Sequence, residues 1–337
     1  MAGESTEVRL GFVNLVDLAS ERLGGKALAA SDEFFAGCEN LLKPGRGVYI
    51  PDKYTDRGKW MDGWETRRRR TPGHDWCVVR LGRPGVIKGL DIDTNHFEGN
   101  HPEHASVDAA AGGPDGEQEN LDWTEILPKV SLGPSRRNLF PVDDPRRWTH
   151  LRLNIYPDGG VARFRAYGYA APAEVNDLEE TLDLACIVNG GVAIACSDQR
   201  FGNMNNMLMP GRPANMGDGW ETRRRRGPGF DWAVVRLGFK AEIDRVEVDT
   251  THFKGNYPAR CSIEACLADG AGIDDFDADS HAWTEIVPER ALEPDRVHAF
   301  EVDTGIAGLF THVRLNIFPD GGVARLRVFG RPVRGKR

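Results

Sequence analysis

No apolar run in this 337-residue chain approaches the roughly 20 residues a membrane-crossing helix needs, so the sequence offers no bilayer segment. It also lacks a basic surplus. Lys and Arg number 43 against 51 Asp and Glu, and the net charge of −8 argues against nucleic acid as the general partner. Cysteine is scarce: Cys38, Cys77, Cys186, Cys196, Cys261 and Cys266 are all there is, and no two stand in CxxC spacing. They read as reduced thiols of a cytoplasmic protein rather than a disulfide framework or a zinc site. A secretory leader is not expected either, because the amino terminus is acidic early and Asn14 and Asp17 interrupt its apolar stretch. The carboxy-terminal Arg334-Gly335-Lys336-Arg337 is not a peroxisomal address. With 40% hydrophobic and 28% charged residues, the composition is that of a soluble globular protein.

What the chain does have, it has twice. Asp62-Gly63-Trp64-Glu65-Thr66-Arg67-Arg68-Arg69-Arg70 returns unchanged from Asp218 to Arg226, and residues 62–82 agree with 218–238 at 18 of 21 positions. His96 and His252 lie 156 apart, Trp123 and Trp283 160, and Asn154 and Asn316 162, so small insertions separate the matched blocks. Upstream the spacing is 166, which leaves ten extra residues in copy one, within 47–60. One long repeat of this kind means two similar domains rather than a solenoid. We expect a first domain over 1–169, an acidic linker over 170–182 and a second domain over 183–337, each of a size that suits one core.

The local pattern is β. In His150-Leu151-Arg152-Leu153-Asn154-Ile155 apolar and polar residues alternate, as they do in the matching 312–317, which puts one face in a core and the other outward. Pro157-Asp158-Gly159-Gly160 then supplies turn chemistry, and the segment reads as a hairpin closing each domain. Residues 78–81 and 89–93 read as further short strands, with Leu90 and Ile92 inward and Asp91 and Asp93 outward. Residues 32–42 are the best helical candidate. Many short strands between Gly- and Pro-rich loops favour an all-β fold, two tandem β-sandwiches, over a parallel α/β sheet.

Two matched constellations carry candidate chemistry. The first sets Glu65 or Glu221 beside four arginines; in an extended segment Glu65, Arg67 and Arg69 share one side. Guanidinium groups suit two-point recognition of a small carboxylate, although they could equally pair with the surplus acids, and ligand contact by at least one per copy is the favoured reading. The second is Asp93-Thr94-Asn95-His96-Phe97-Glu98-Gly99-Asn100 with its match at 249–256. Histidine suits proton transfer near neutral pH, and Asp and Asn can read amide or ureido groups. The matched tryptophans read first as packing residues. Neither constellation offers two histidines at ligand spacing within one block, and His101 beside His96 is replaced by Tyr257 in copy two; no cofactor is assigned and a divalent metal is left open.

The doubled GWETRRRR block, the doubled DT-HF-GN block and the doubled RLNI-PDGGVAR ending together resemble the allantoicase family over nearly the whole chain. The resemblance implies two jelly-roll domains of the galactose-binding-like type and assembly into a homo-oligomer. It further implies hydrolysis of allantoate, a small-molecule substrate, to ureidoglycolate and urea. In that reading Glu65 and Glu221, or His96 and His252, transfer protons. Arg67, Arg69, Arg223 and Arg225 hold the carboxylate, and Asp93, Asn100, Asp249 and Asn256 bind ureido groups. A hydrolase of a related ureido compound such as ureidoglycolate, or a non-catalytic tandem binding module, are the alternatives. The copies differ at His74/Phe230, Asn95/Thr251, Glu98/Lys254 and His101/Tyr257, so two pockets of unequal competence or one composite pocket both fit, with the composite slightly favoured.

Overall fold

The computed structural model describes residues 8–9, 11–112, 121–172, 180–270, 276–303, 305 and 308–333. Its regular structure is almost entirely β, and among the described residues the helices are 3-10 turns of three to five residues. It divides into two compact units, Val16–Ala171 and a second comprising Met1–Leu15 with Pro172–Arg337. The amino-terminal strand Val8–Arg9 belongs to the second unit, where it pairs with Ala195 and Cys196. Most of the expected linker, 173–179, lies outside the described residues.

Each unit is organised by one 19-residue strand. In the first unit, Asp75–Asp93 joins into a single element the two short strands read from the sequence. Its first half pairs with Lys26–Ala30 on one side and Arg147–Tyr156 on the other. Its second half pairs with Arg137–Pro141 and Arg163–Ala170. The strand changes partners around Gly82 and Gly85, where side chains would strike the carbonyls of Leu23 and Tyr169. It therefore belongs to both layers of a jelly-roll sandwich, and Asp231–Asp249 does the same in the second unit. Leu90, Ile92, Leu151, Leu153, Phe164 and Trp64, all fully buried, form the core between the layers.

Three readings of local sequence are corrected. Arg147–Tyr156 and Arg163–Ala170 are not a hairpin: neither pairs with the other, and both lie against the long strand. Alternation reveals which face a strand buries but says nothing about its hydrogen-bonded neighbour. The helix expected over 32–42 shrinks to a 3-10 turn, Cys38–Leu42. Asp32 Oδ1 accepts the Phe34 N–H and Glu33 Oε1 the Cys38 N–H, so side chains occupy donors a helix would have used. Asp91 and Asp93 do face away from Leu90 and Ile92, yet they are buried, under Arg137 and Arg46.

The tryptophans of the repeated block are packing residues, Trp64 and Trp220 being wholly buried. Each directs Nε1–H to a main-chain carbonyl 2.8 Å away, Asp32 for Trp64 and Asp198 for Trp220. All six cysteines are free and buried. No helix among the described residues is long and apolar enough to cross a membrane.

Candidate active site

The first unit holds a cleft of about 520 Å³ lined by Phe35, Tyr49, Lys59, Met61, Glu65, His96, Glu98, Gly99 and Asn100. Glu65 ends the short strand Trp64–Glu65, which is clasped by main-chain bonds to Ala36 on one side and paired to Gly160 on the other. The Asn100 side-chain amide donates to Glu65 Oε1 at 2.7 Å, and the Asn100 carbonyl accepts the Gly160 N–H at 2.8 Å. Phe97 locks this arrangement, because its buried ring fills the space beside Gly160, where a Cβ would lie 2.0 Å from the ring. Burial pushes the Glu65 carboxyl above its ordinary pKa and outweighs the Asn100 bond, which pulls it down.

His96 follows from the same loop. Its φ of 67° lies in the left-handed region, uncommon for a residue with a side chain, and its N–H donates to Ser135 Oγ at 3.2 Å. The ring packs 5.6 Å from that of Tyr49 and makes no hydrogen bond among the described residues. This uncommitted imidazole lines the same cleft as the half-buried Glu65 carboxyl group.

Tyr49 and Lys59 come from the ten-residue insertion of copy one, which is an ordered hairpin. Tyr54–Thr55 pairs with Gly58–Lys59, and Lys53 Nζ sits 3.6 Å over the Trp60 ring. The hairpin is pinned at its root, where Asn95 Nδ2 donates to the Gly47 carbonyl at 2.8 Å and Asp62 Oδ2 accepts the Val48 N–H at 2.9 Å. Asp62 in turn forms a buried pair with Arg163, 2.8 Å apart.

Of the candidates drawn from the sequence, Glu65, His96 and Asn100 meet in this cleft. Arg67 and Arg69 do not line it. Arg67 pairs with Asp32 at 2.6 Å and Arg69 with Asp75 at 2.6 Å; in copy two, Arg223 pairs with Asp198 at 2.8 Å and Arg225 with Asp231. Asp93 is held by both arms of Arg46, at 2.8 and 2.9 Å. In the second unit Glu221 again accepts from Asn256, at 2.5 Å, but Met216 Sδ lies 3.8 Å from the same amide nitrogen. His252 and Asp249 line a separate cavity of about 570 Å³, which neither Glu221 nor Asn256 borders. There His252 Nε2 bonds the Pro213 carbonyl at 3.1 Å, so its ring is committed. Among the described residues one group, Glu33, Cys38 and Glu39, brings metal-type ligand atoms within 4.8 Å, and His96 and His101 are not in it.

Sequence reasoning missed Tyr49, Lys59, Phe35 and Met61 as site residues. For Tyr49 and Lys59 the signal was present in the ten-residue excess beside the repeated block, whereas Phe35 and Met61 lie outside it and carry no chemical signal of their own.

A carboxyl group, an imidazole, an amide and one ammonium group around a small cleft are groups that acid–base hydrolysis can use, here on a duplicated β-sandwich. Residues 16–171 and 182–333 each match the family described as Allantoicase repeat. The chain is 53% identical to a "Probable allantoicase" of Pseudomonas aeruginosa (strain LESB58) over 325 residues, 95% of this chain and 97% of the relative. It is likewise 53% identical to "Probable allantoicase 1" of Burkholderia mallei (strain ATCC 23344), covering 94% of each. A crystal structure of allantoicase from Saccharomyces cerevisiae superimposes with a TM-score of 0.77 at 40% identity, over 94% of this chain and 92% of that one. The chain belongs to the allantoicase family, and the family's two-sandwich fold is the fold described above.

Proposed function

We propose that the chain hydrolyses allantoate to ureidoglycolate and urea, and that the reaction takes place in the first unit's cleft. The observation that carries this reading is the Glu65 carboxyl group, half-buried and oriented by Asn100 in a cleft that the ring of His96 also lines. Allantoate bears one carboxylate and two ureido groups on a single carbon. In the hydrolysis a water oxygen bonds to that carbon, the bond to one ureido nitrogen breaks, and the nitrogen takes a proton as urea departs. Urea is a poor leaving group, so proton delivery to its nitrogen is the demanding part.

Burial shifts the Glu65 carboxyl towards its protonated form, as a proton donor requires, and Asn100 occupies only one of its oxygens. Glu65 is the acid for the leaving nitrogen and His96 takes the proton from water. The Asn100 amide, shared with Glu65, lies where it can also meet a ureido carbonyl. The reading extends to a cytoplasmic homo-oligomer whose free, buried cysteines stay reduced.

Incubating the purified protein with allantoate and, separately, with ureidoglycolate, while following urea and glyoxylate, tests the reaction. Urea from allantoate without glyoxylate is expected. Glyoxylate and urea from ureidoglycolate alone would favour the related hydrolase, and no turnover of either would leave a binding module.

A further inference from the structure

An anionic substrate needs a cation, and of the repeated arginines Arg67, Arg69, Arg223 and Arg225 are spent on Asp32, Asp75, Asp198 and Asp231, while Arg68 and Arg70 do not line the first unit's cleft. The cleft itself is lined by two carboxylate side chains, Glu65 and Glu98, and by a single Lys or Arg, which is Lys59. Lys59 has no acidic partner among the described residues. Its ammonium group donates to the Ile50 carbonyl at 3.3 Å and stands 4.8 Å from the ring centroids of both Tyr49 and Tyr54. Two ring faces and one carbonyl fix the position of the charge without neutralising it, and two of its three N–H donors are left for a ligand.

We propose that Lys59 is the anchor for the substrate's carboxylate, and that the insertion carrying it makes the first repeat the one that turns substrate over. The inference rests on the allantoate reading above. Copy two has the same Glu–Asn pair but no insertion. Counting back from its repeated block places Asn215 where Lys59 stands, and Met216, next in the chain, lies against the Asn256 amide. The cation of the neighbouring loop, Lys254, faces Asp295 at 3.8 Å. Copy two thus presents a carboxylate without the positive charge that would draw an anionic substrate to it. Specificity for a carboxylate-bearing diureide resides in a segment that the duplication does not repeat.

The test compares wild type, Lys59→Met, Lys59→Arg and Glu65→Gln on allantoate and on its neutral carboxamide, the latter scored as substrate or as competitive inhibitor. Losing one charge-assisted contact should lower kcat/KM for allantoate about 10- to 100-fold in Lys59→Met, mostly through KM. The carboxamide should be affected less than about threefold, since that contact is absent from it. Lys59→Arg should recover most of the loss. Thermal unfolding of each variant, expected to match wild type because the hairpin lies at the surface, separates lost binding from lost folding. An equal effect on both compounds, or no effect on allantoate while Glu65→Gln is inactive, overturns the assignment of Lys59 alone. Full activity in Glu65→Gln instead overturns the cleft as the site of reaction.

Discussion

If Glu65 is the acid proposed above, it is a residue on which function and stability pull in opposite directions. Because its carboxyl pKa is raised in the folded protein, its contribution to stability is full below the ordinary value of 4.5 and is lost as pH rises through the raised value. Wherever the group is ionised, its partly buried charge is a cost. Glu65→Gln keeps the oxygen that accepts from Asn100 and removes the charge; turnover should fall about 10²- to 10⁴-fold, while the unfolding midpoint at pH 7 stays level or rises. A fall in the midpoint would mean that the carboxylate is a structural ion instead. Asp62 is the opposite case. Burial pushes its carboxyl up, but Arg163, the Val48 N–H and Lys43 together hold it below its ordinary value. Asp62→Ala leaves the Arg163 guanidinium buried and unpaired, and should cost about 3–5 kcal/mol in chemical denaturation, part of it restored by adding Arg163→Met. At this scale the sequence singled out Glu65, His96 and Asn100 because they recur among polar neighbours. It could not show that Arg67 and Arg69 face Asp32 and Asp75, since pairing across 35 or even 6 positions has no local signature.

At the scale of elements, the loop from Asp93 to Asn100 is held by a contact between an aromatic ring and a residue that lacks one. Gly160 has Phe97 where a side chain would go, and its N–H holds the Asn100 carbonyl. Gly160→Ala should destabilise by about 1–3 kcal/mol through overpacking, and it should also lower kcat by shifting Asn100 away from Glu65. Assay together with thermal unfolding checks both, and an unchanged kcat in a destabilised variant would uncouple the loop from the reaction. Gly322 stands in the same relation to Phe253. The core face was legible in these segments, since Leu151, Leu153 and Ile155 are all buried, whereas His150 and Asn154 on the face expected outward are buried as well. Strand neighbours were not legible, because a long strand that serves both layers separates two segments that adjoin in sequence.

For the molecule as a whole, the duplication implies symmetry that the sites do not keep. His96 lines the cleft of Glu65 with a ring that makes no hydrogen bond among the described residues, whereas His252 is bonded to Pro213 in a cavity that Glu221 does not border. His96→Ala should therefore cost about 10²-fold or more in turnover, and His252→Ala far less. Losses of about one half from each would indicate two independent sites. A second global expectation concerns acid. Burial, with Arg236 and His281 nearby, depresses the His312 pKa to about 3, and among the described residues its Nε2 has no hydrogen-bond partner to accept from an added N–H. Stability from this group is complete above the ordinary 6.5 and is lost as pH falls from there towards 3, by up to about 1.4 kcal/mol per pH unit. His312→Gln should flatten that part of the stability profile measured by denaturation between pH 6.5 and 4, and an identical slope in both proteins would assign the acid sensitivity to carboxylates alone.

The sequence by itself determined the β class, the two repeats, the family and the recurrence of Glu65 and of the loop that bears His96 and Asn100, because repetition and period-two alternation are local and survive without coordinates. Only the tertiary structure decided which charges are already neutralised, which histidine is free, and that an unmatched hairpin closes one cleft with Tyr49 and Lys59. Those outcomes depend on which residues meet across the fold, and a side chain's chemistry is fixed by its neighbours in space.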